Sequence, residues 1–140
     1  MTRVGIAVDL TVCEQGRARG DRVLLAADAR RVVDPDGLRA QFEGGVTQGA
    51  TWSLFEQVKW GPDGRKTLDW ESHPVVRFVD SPNIQIDLLE PTAAPSVGAG
   101  EASPAPTVAA IVNAINAAIG LGLHRMPFDK DAIMSAALQI

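Results

Sequence analysis

One carboxylate stands in a stretch that is otherwise poor in side chains. In PSVGAGEASPAP, residues 95–106, Glu101 directly follows Gly98, Ala99 and Gly100. A carboxylate acts as a general base when it lies within hydrogen-bond reach of the proton it removes, and glycines let a ligand approach the backbone closely. Composition by itself favours a flexible linker. Two interpretations therefore stay open: a linker, or a rigid loop that carries one acid to a ligand.

A second group of glycines lies in the segment GLRAQFEGGVTQGATWSLF. Its apolar residues recur at spacings of three and four, which predicts a helix from Pro35 to about Phe55. Gly44, Gly45 and Gly49 fall inside this helix, and each costs about 1 kcal/mol relative to alanine. Such glycines usually allow something to approach the surface of the helix closely, and here it is either another helix or a ligand.

Extended segments flank this helix on both sides. Runs rich in β-branched residues predict strands over 4–15 and 22–29, antiparallel to each other and joined by a glycine-containing turn. Residues 83–90, NIQIDLLE, alternate apolar and polar side chains and predict a third strand. A GPDG turn before that strand predicts a short hairpin. Trp52 in the predicted helix, and Trp60 and Trp70 on either side of the turn, are expected to be packing residues rather than a stacking platform, because no basic stripe accompanies them.

Two further helices are predicted after the third strand. Apolar residues over 108–119 recur at helical spacing, and Gly120 closes that helix. Asp129 is placed to cap a last short helix that runs to Leu138. The whole pattern predicts an α+β fold: a single domain, residues 1–140, with a mixed or antiparallel sheet packed against two main helices.

Composition limits the classes of function. The net charge is −4, and nucleic-acid binding needs a basic surface, so we expect no nucleic-acid partner. One cysteine and two histidines are too few to close a tetrahedral zinc site, so no metal ligand is predicted, and Cys13 is expected to be structural. No stretch approaches the ~20 apolar residues of a membrane span. No signal peptide is recognisable, so we expect a cytoplasmic chain, or a periplasmic one exported with a partner.

The order of the two glycine segments is typical of a known family. The segment RAQFEGG, then VGAGEASPAPTVAAIVNAI, then LHRMPFDKDAIMSAAL resembles the C-terminal part of the molybdopterin-binding large subunit of molybdenum hydroxylases. This is the xanthine and aldehyde oxidase family, and the resemblance points in particular to the beta subunit of isoquinoline 1-oxidoreductase. It extends over nearly the whole chain and implies a fold like part of the second molybdopterin-binding domain.

The resemblance implies roles for particular residues. Glu101 corresponds to the family's catalytic glutamate, a general base in the hydroxylation of an N-heterocycle or an aldehyde with water. Gln41 corresponds to an amide that contacts the pterin. Gln48 is a second candidate for such a contact, and a solvated helix glutamine is an equally open alternative. The implied backbone neighbours of the cofactor are Gly44, Gly45, Gly98, Ala99 and Gly100.

The same resemblance implies a cofactor and partner chains. The cofactor is molybdenum on molybdopterin, in bacteria usually the cytosine dinucleotide form, held by the pterin dithiolene without a protein ligand. Iron–sulfur clusters that carry the electrons away lie on another subunit. A larger molybdopterin subunit would complete the site.

The sequence also departs from the family. Many members have aspartate, cysteine and glycine where this chain has Asp28, Ala29 and Arg30, and many have a proline where it has Ala102. Family chains are several times longer than 140 residues, so we expect this chain to be a subunit or fragment that is inactive in isolation. The alternative is a non-catalytic interaction protein that keeps the fold without molybdenum and self-associates through exposed apolar surface.

Overall fold

A long antiparallel hairpin forms the centre of the sheet. The computed structural model describes residues 2–89, 93–120 and 122–138. In it, strand β1 (Arg3–Val12) pairs with β2 (Ala18–Asp28), which confirms the predicted antiparallel pairing. Alternate side chains of β2 are buried, because successive residues of a strand point to opposite faces of the sheet.

The second strand begins four residues earlier than predicted. The turn is confined to residues 13–17, where the Gly16 amide donates to the Cys13 carbonyl oxygen at 2.8 Å and Gly16 adopts a φ of 76°. Pairing continues beyond a bulge at Asp9 and Leu10. Side-chain hydrogen bonds across the strands, which include Thr11 Oγ1 to Asp21 Oδ2, accompany this extension.

The third strand makes the sheet mixed. Two very short strands, β3 (Trp60–Gly61) and β4 (Gly64–Arg65), form the predicted small hairpin. Strand β5 (Asn83–Leu88) then pairs with β2 in parallel, so the sheet order is β1-β2-β5. The prediction carried this strand to Glu90, which lies outside the described residues.

Three helices complete the fold where helices were predicted, and the second begins four residues earlier than its apolar pattern indicated. Helix α1 (Pro35–Leu54) is capped by Asp34, whose carboxylate accepts from the Gly37 amide. Helix α2 (Pro104–Ile119) ends at Gly120 in the left-handed conformation, φ 70°. Helix α3 (Lys130–Ala137) begins after Asp129, whose carboxylate accepts from the Ala132 amide at 2.8 Å.

The helices and the inner face of the sheet bury two apolar clusters. The first joins β2 to α1 and consists of Val23, Leu25, Ala27, Phe42 and Val46. The second lies between the helices and consists of Ala50, Ile111, Ile115, Phe128 and Ile133. The predicted α+β class is therefore confirmed: a mixed sheet packs against two main helices. In the part of the chain that the structure describes, no helix is both long and apolar enough to cross a membrane.

The prediction that all the tryptophans pack was wrong for two of them. Trp60 is 73% exposed and Trp70 is 78% exposed, and Phe78 is 99% exposed. All three lie in the segment 55–82 that connects α1 to β5. Its only regular structure is a hairpin of two-residue strands and a short 3-10 turn. An apolar side chain is buried only where another element packs over it, and this segment does not pack as a further layer on the described core.

Candidate functional site

Two glycines of α1 allow α2 to lie directly against it. A Cβ added at Gly45 would lie 2.1 Å from Ser103 Oγ, and one added at Gly49 would lie 2.8 Å from the Pro104 carbonyl oxygen. These separations are shorter than any ordinary van der Waals contact. The sequence left open whether another helix or a ligand approaches the glycines of α1. Among the described residues, it is another helix that lies against Gly45 and Gly49.

The stretch from Gly98 to Ser103, here called the Glu101 loop, is tied to the fold at three points. Gln41 Nε2 donates to the Gly100 carbonyl oxygen at 2.8 Å, and Ser103 Oγ donates to the Phe42 carbonyl oxygen at 3.3 Å. At the other end, Thr2 Oγ1 donates to the Gly98 carbonyl oxygen at 2.7 Å. The loop that composition alone would make a linker is thus hydrogen-bonded both to the N-terminal end of the hairpin and to α1.

Packing fixes which residues of the loop face outward. Ala99 and Ala102 pack against the apolar cluster of β2 and α1. Gly98, Gly100 and Glu101 are exposed. The Glu101 carboxylate makes no hydrogen bond to any residue that the structure describes. The loop therefore presents one exposed carboxylate on a backbone that packing against the core and hydrogen bonds hold in place.

Three glycines, one on α1 and two in the Glu101 loop, have no structural reason to be glycine within the described residues. A Cβ at Gly44, Gly98 or Gly100 would meet nothing within 4 Å, and none of the three has a positive φ. Gly44 lies on the exposed side of α1, next to the buried Gly45. An open, backbone-lined surface beside a carboxylate suits the close approach of a large planar ligand, so these residues fit a pterin.

The other predicted site residues are placed as follows. Gln48 lies on α1, two turns beyond Gln41, and makes no hydrogen bond to a described residue. Ser103 and Thr2 were not predicted as loop anchors. Ser103 stands before Pro104 in a typical helix-capping position, but its hydroxyl bonds to α1 instead of capping α2, and the sequence carries no signal of that choice.

A separate groove lies at the opposite end of the sheet. Its volume is about 750 Å³, and it is lined by the hairpin turn, the end of α1 and the start of α3. Cys13 borders it and is half-buried, and a hydrogen bond from the Arg17 backbone lowers the pKa of its thiol. None of the predicted site residues lines this groove. Among the described residues, no group of three histidine, cysteine or acidic side chains is arranged to hold a metal ion.

Comparison with known proteins assigns the fold and the family. The family model of the molybdopterin cofactor-binding domain matches residues 4–72. The chain is 31% identical over 121 residues to a nicotinate dehydrogenase polypeptide of Pseudomonas putida, covering 86% of this chain and 10% of that protein. It is 33% identical over 69 residues to the beta subunit of isoquinoline 1-oxidoreductase from Brevundimonas diminuta, covering 49% of this chain and 9% of that protein.

The crystal structure of quinoline 2-oxidoreductase from Pseudomonas putida 86 has the same fold. It superposes with a TM-score of 0.91 at 21% identity, over 99% of this chain and 19% of that one. The chain thus spans about a tenth of the length of the two curated relatives and about a fifth of the matched structure. The match of the family model, the similarity to these relatives and the shared fold agree: this chain belongs to the molybdopterin cofactor-binding domains of the xanthine and aldehyde oxidase family.

Proposed function

We propose that this chain, as a single domain over residues 1–140, supplies one wall of a molybdenum hydroxylase active site with Glu101 as the general base. The observation that carries the proposal is the anchored loop, which holds an exposed carboxylate beside the open glycines at 98 and 100. The reaction class is the hydroxylation of an N-heterocycle or an aldehyde with water.

The chain's own residues would divide the work of the site. Molybdopterin, when bound, supplies the redox-active molybdenum together with its dithiolene ligands. Glu101 removes a proton at its carboxylate oxygen, which requires the acid to be ionised and within hydrogen-bond reach of the reacting group. The backbone of Gly98, Ala99 and Gly100 lines the cofactor.

Helix α1 would contribute the second set of contacts. An amide side chain has two N–H donors and one carbonyl acceptor, and Gln41 uses one N–H on Gly100. The other N–H and the oxygen are available to the pterin edge. Gly44 offers its open side to the cofactor, Gly45 contributes only backbone because Ser103 fills its Cβ direction, and Gln48 is a peripheral contact.

A larger molybdopterin polypeptide would complete the site. Glu101 and the glycines around it lie on an open surface, so this chain can cover only one side of a dinucleotide cofactor. We propose that the cofactor is the cytosine dinucleotide form, shared with that larger chain, and that iron–sulfur clusters lie on another subunit. Family membership disfavours the non-catalytic alternative.

Glu101→Gln in the assembled complex tests the proposal. The amide has nearly the shape of the carboxylate but cannot accept a proton, so turnover should fall by at least about 100-fold, the lower end for loss of a general base. Molybdenum content, measured by mass spectrometry of the metal, should stay equal to that of the wild type. Glu14→Gln, at an exposed acid in the hairpin turn at the other end of the sheet, is the matched control and should retain turnover. Full activity in the Glu101 variant would reject Glu101 as the base.

A further inference from the structure

Two hydrogen bonds connect α1 to the Glu101 loop on either side of the acid. The Gln41 side chain donates to the backbone of Gly100, and the Ser103 side chain donates to the backbone of Phe42. Gln41 and Phe42 are neighbours on α1, and Gly100 and Ser103 bracket Glu101 in the loop. The helix thus holds the loop immediately before and shortly after the acid.

The two bonds differ in how replaceable they are. Ser103 is buried beside Gly45 and Pro104, so packing holds it in place even without its hydroxyl. Gly100 is exposed and has no side chain, and no other described side chain bonds to its carbonyl oxygen. Besides the backbone hydrogen bond from the Ala102 amide to the Ala99 carbonyl oxygen at 3.3 Å, the N–H that Gln41 donates is the hydrogen bond that holds the backbone just before Glu101 in the described residues.

We infer that Gln41 is a positioning residue for Glu101, acting through the Gly100 carbonyl oxygen. This inference rests on the proposed role of Glu101 as the base, and it adds to Gln41 a task that needs no cofactor. A donor is required at this point, because a carboxylate at position 41 would face the Gly100 carbonyl oxygen with a second acceptor. Loss of the donor removes the side-chain hydrogen bond that ties Gly100 to α1, so the Gly100–Glu101 segment can move while Ala99 and Ser103 still hold the loop on either side.

The first measurement uses the complete chain without cofactor. Backbone ¹⁵N relaxation reports picosecond–nanosecond order at Gly100 and Glu101. In Gln41→Ala and in the near-isosteric Gln41→Glu, the order parameters of these two amides should fall from about 0.85 to below about 0.6. Glu43→Ala is the matched control, since Glu43 is exposed on the same helix and its side chain makes no hydrogen bond to a described residue.

The second measurement uses the assembled enzyme, with turnover expressed per bound molybdenum so that any change in cofactor content is removed. Displacing a catalytic group by about 1 Å costs about 100-fold in rate, so kcat per molybdenum should fall by about 10- to 100-fold in both Gln41 variants. KM should stay unchanged, and Glu43→Ala should behave as wild type.

The outcomes separate the roles. Ordered Gly100 and Glu101 amides in both Gln41 variants would overturn the inference, as would wild-type kcat per molybdenum with a disordered loop. A fall in molybdenum content with an ordered loop would leave Gln41 as a pterin contact alone and would likewise overturn it. Failure of the proposed function appears elsewhere, as an active Glu101→Gln enzyme, and leaves the relaxation result intact.

Discussion

Gly49→Ala should destabilise the fold, although alanine is the better helix former. The added Cβ would lie 2.8 Å from the Pro104 carbonyl oxygen and 2.9 Å from Thr107 Cβ. Both atoms belong to the first turns of α2 and neither is the end of a flexible side chain. Since ordinary contact begins near 3.5 Å, α1 and α2 must separate by several tenths of an ångström.

The magnitude follows from two opposing terms. Overpacking a buried contact costs about 1–3 kcal/mol, and the backbone position of the clashing atoms places this site near 3. Alanine recovers about 1 kcal/mol of helix propensity relative to glycine. The free energy of unfolding should therefore fall by about 2 kcal/mol, read from urea denaturation followed by circular dichroism at 222 nm.

Gly44→Ala is the matched control in the same helix. A Cβ there meets nothing within 4 Å, so only the propensity term acts and the free energy of unfolding should rise by up to about 1 kcal/mol. If Gly49→Ala were as stable as Gly44→Ala, the close contact of α1 with α2 would be refuted.

Two further predictions concern ionised side chains at other places in the fold. Hydrogen bonds from Thr11 and Arg19 lower the pKa of Asp21, so its contribution to stability is present above its unfolded pKa and is lost as pH falls through the lower folded value. The difference in melting temperature between wild type and Asp21→Asn should thus hold at pH 6 and shrink below about pH 4; a difference that persists at pH 2 would contradict this. Asp129→Ala removes the cap of α3 and should lower the local stability of this helix by about 1 kcal/mol, seen as about fivefold faster amide exchange within α3. Ser135→Ala, on the exposed face of α3, should leave the exchange rates unchanged. Equal exchange rates in the two variants would exclude the cap.

Much of the fold could be predicted because each element carries its own local signal. The Asp34–Pro35 start of α1, the Gly120 end of α2 and the Asp129 cap all lie where the local pattern indicated them. Phe42 and Val46 are two of the apolar residues that recur at helical spacing in α1, and both are fully buried. These features depend on neighbours within a few residues, so a single sequence suffices for them.

The features that could not be predicted depend on contacts between distant segments. The hydroxyl of Ser103 bonds to α1 across 61 positions of sequence, and Gln41 reaches Gly100 across 59. Whether Gly45 faced a helix or a ligand was equally undecidable before α2 was placed. Trp60 and Trp70 were misjudged because burial depends on the layer above a residue as much as on its own polarity.

We propose that this chain forms part of a molybdopterin site that a larger chain completes. The most direct test is to isolate the chain under mild conditions from cells that express it naturally, and to measure molybdenum and released pterin nucleotide per chain. We expect close to one molybdenum and one pterin dinucleotide per chain, in a complex with a longer molybdopterin polypeptide. A stable homo-oligomer that contains neither metal nor pterin would contradict it.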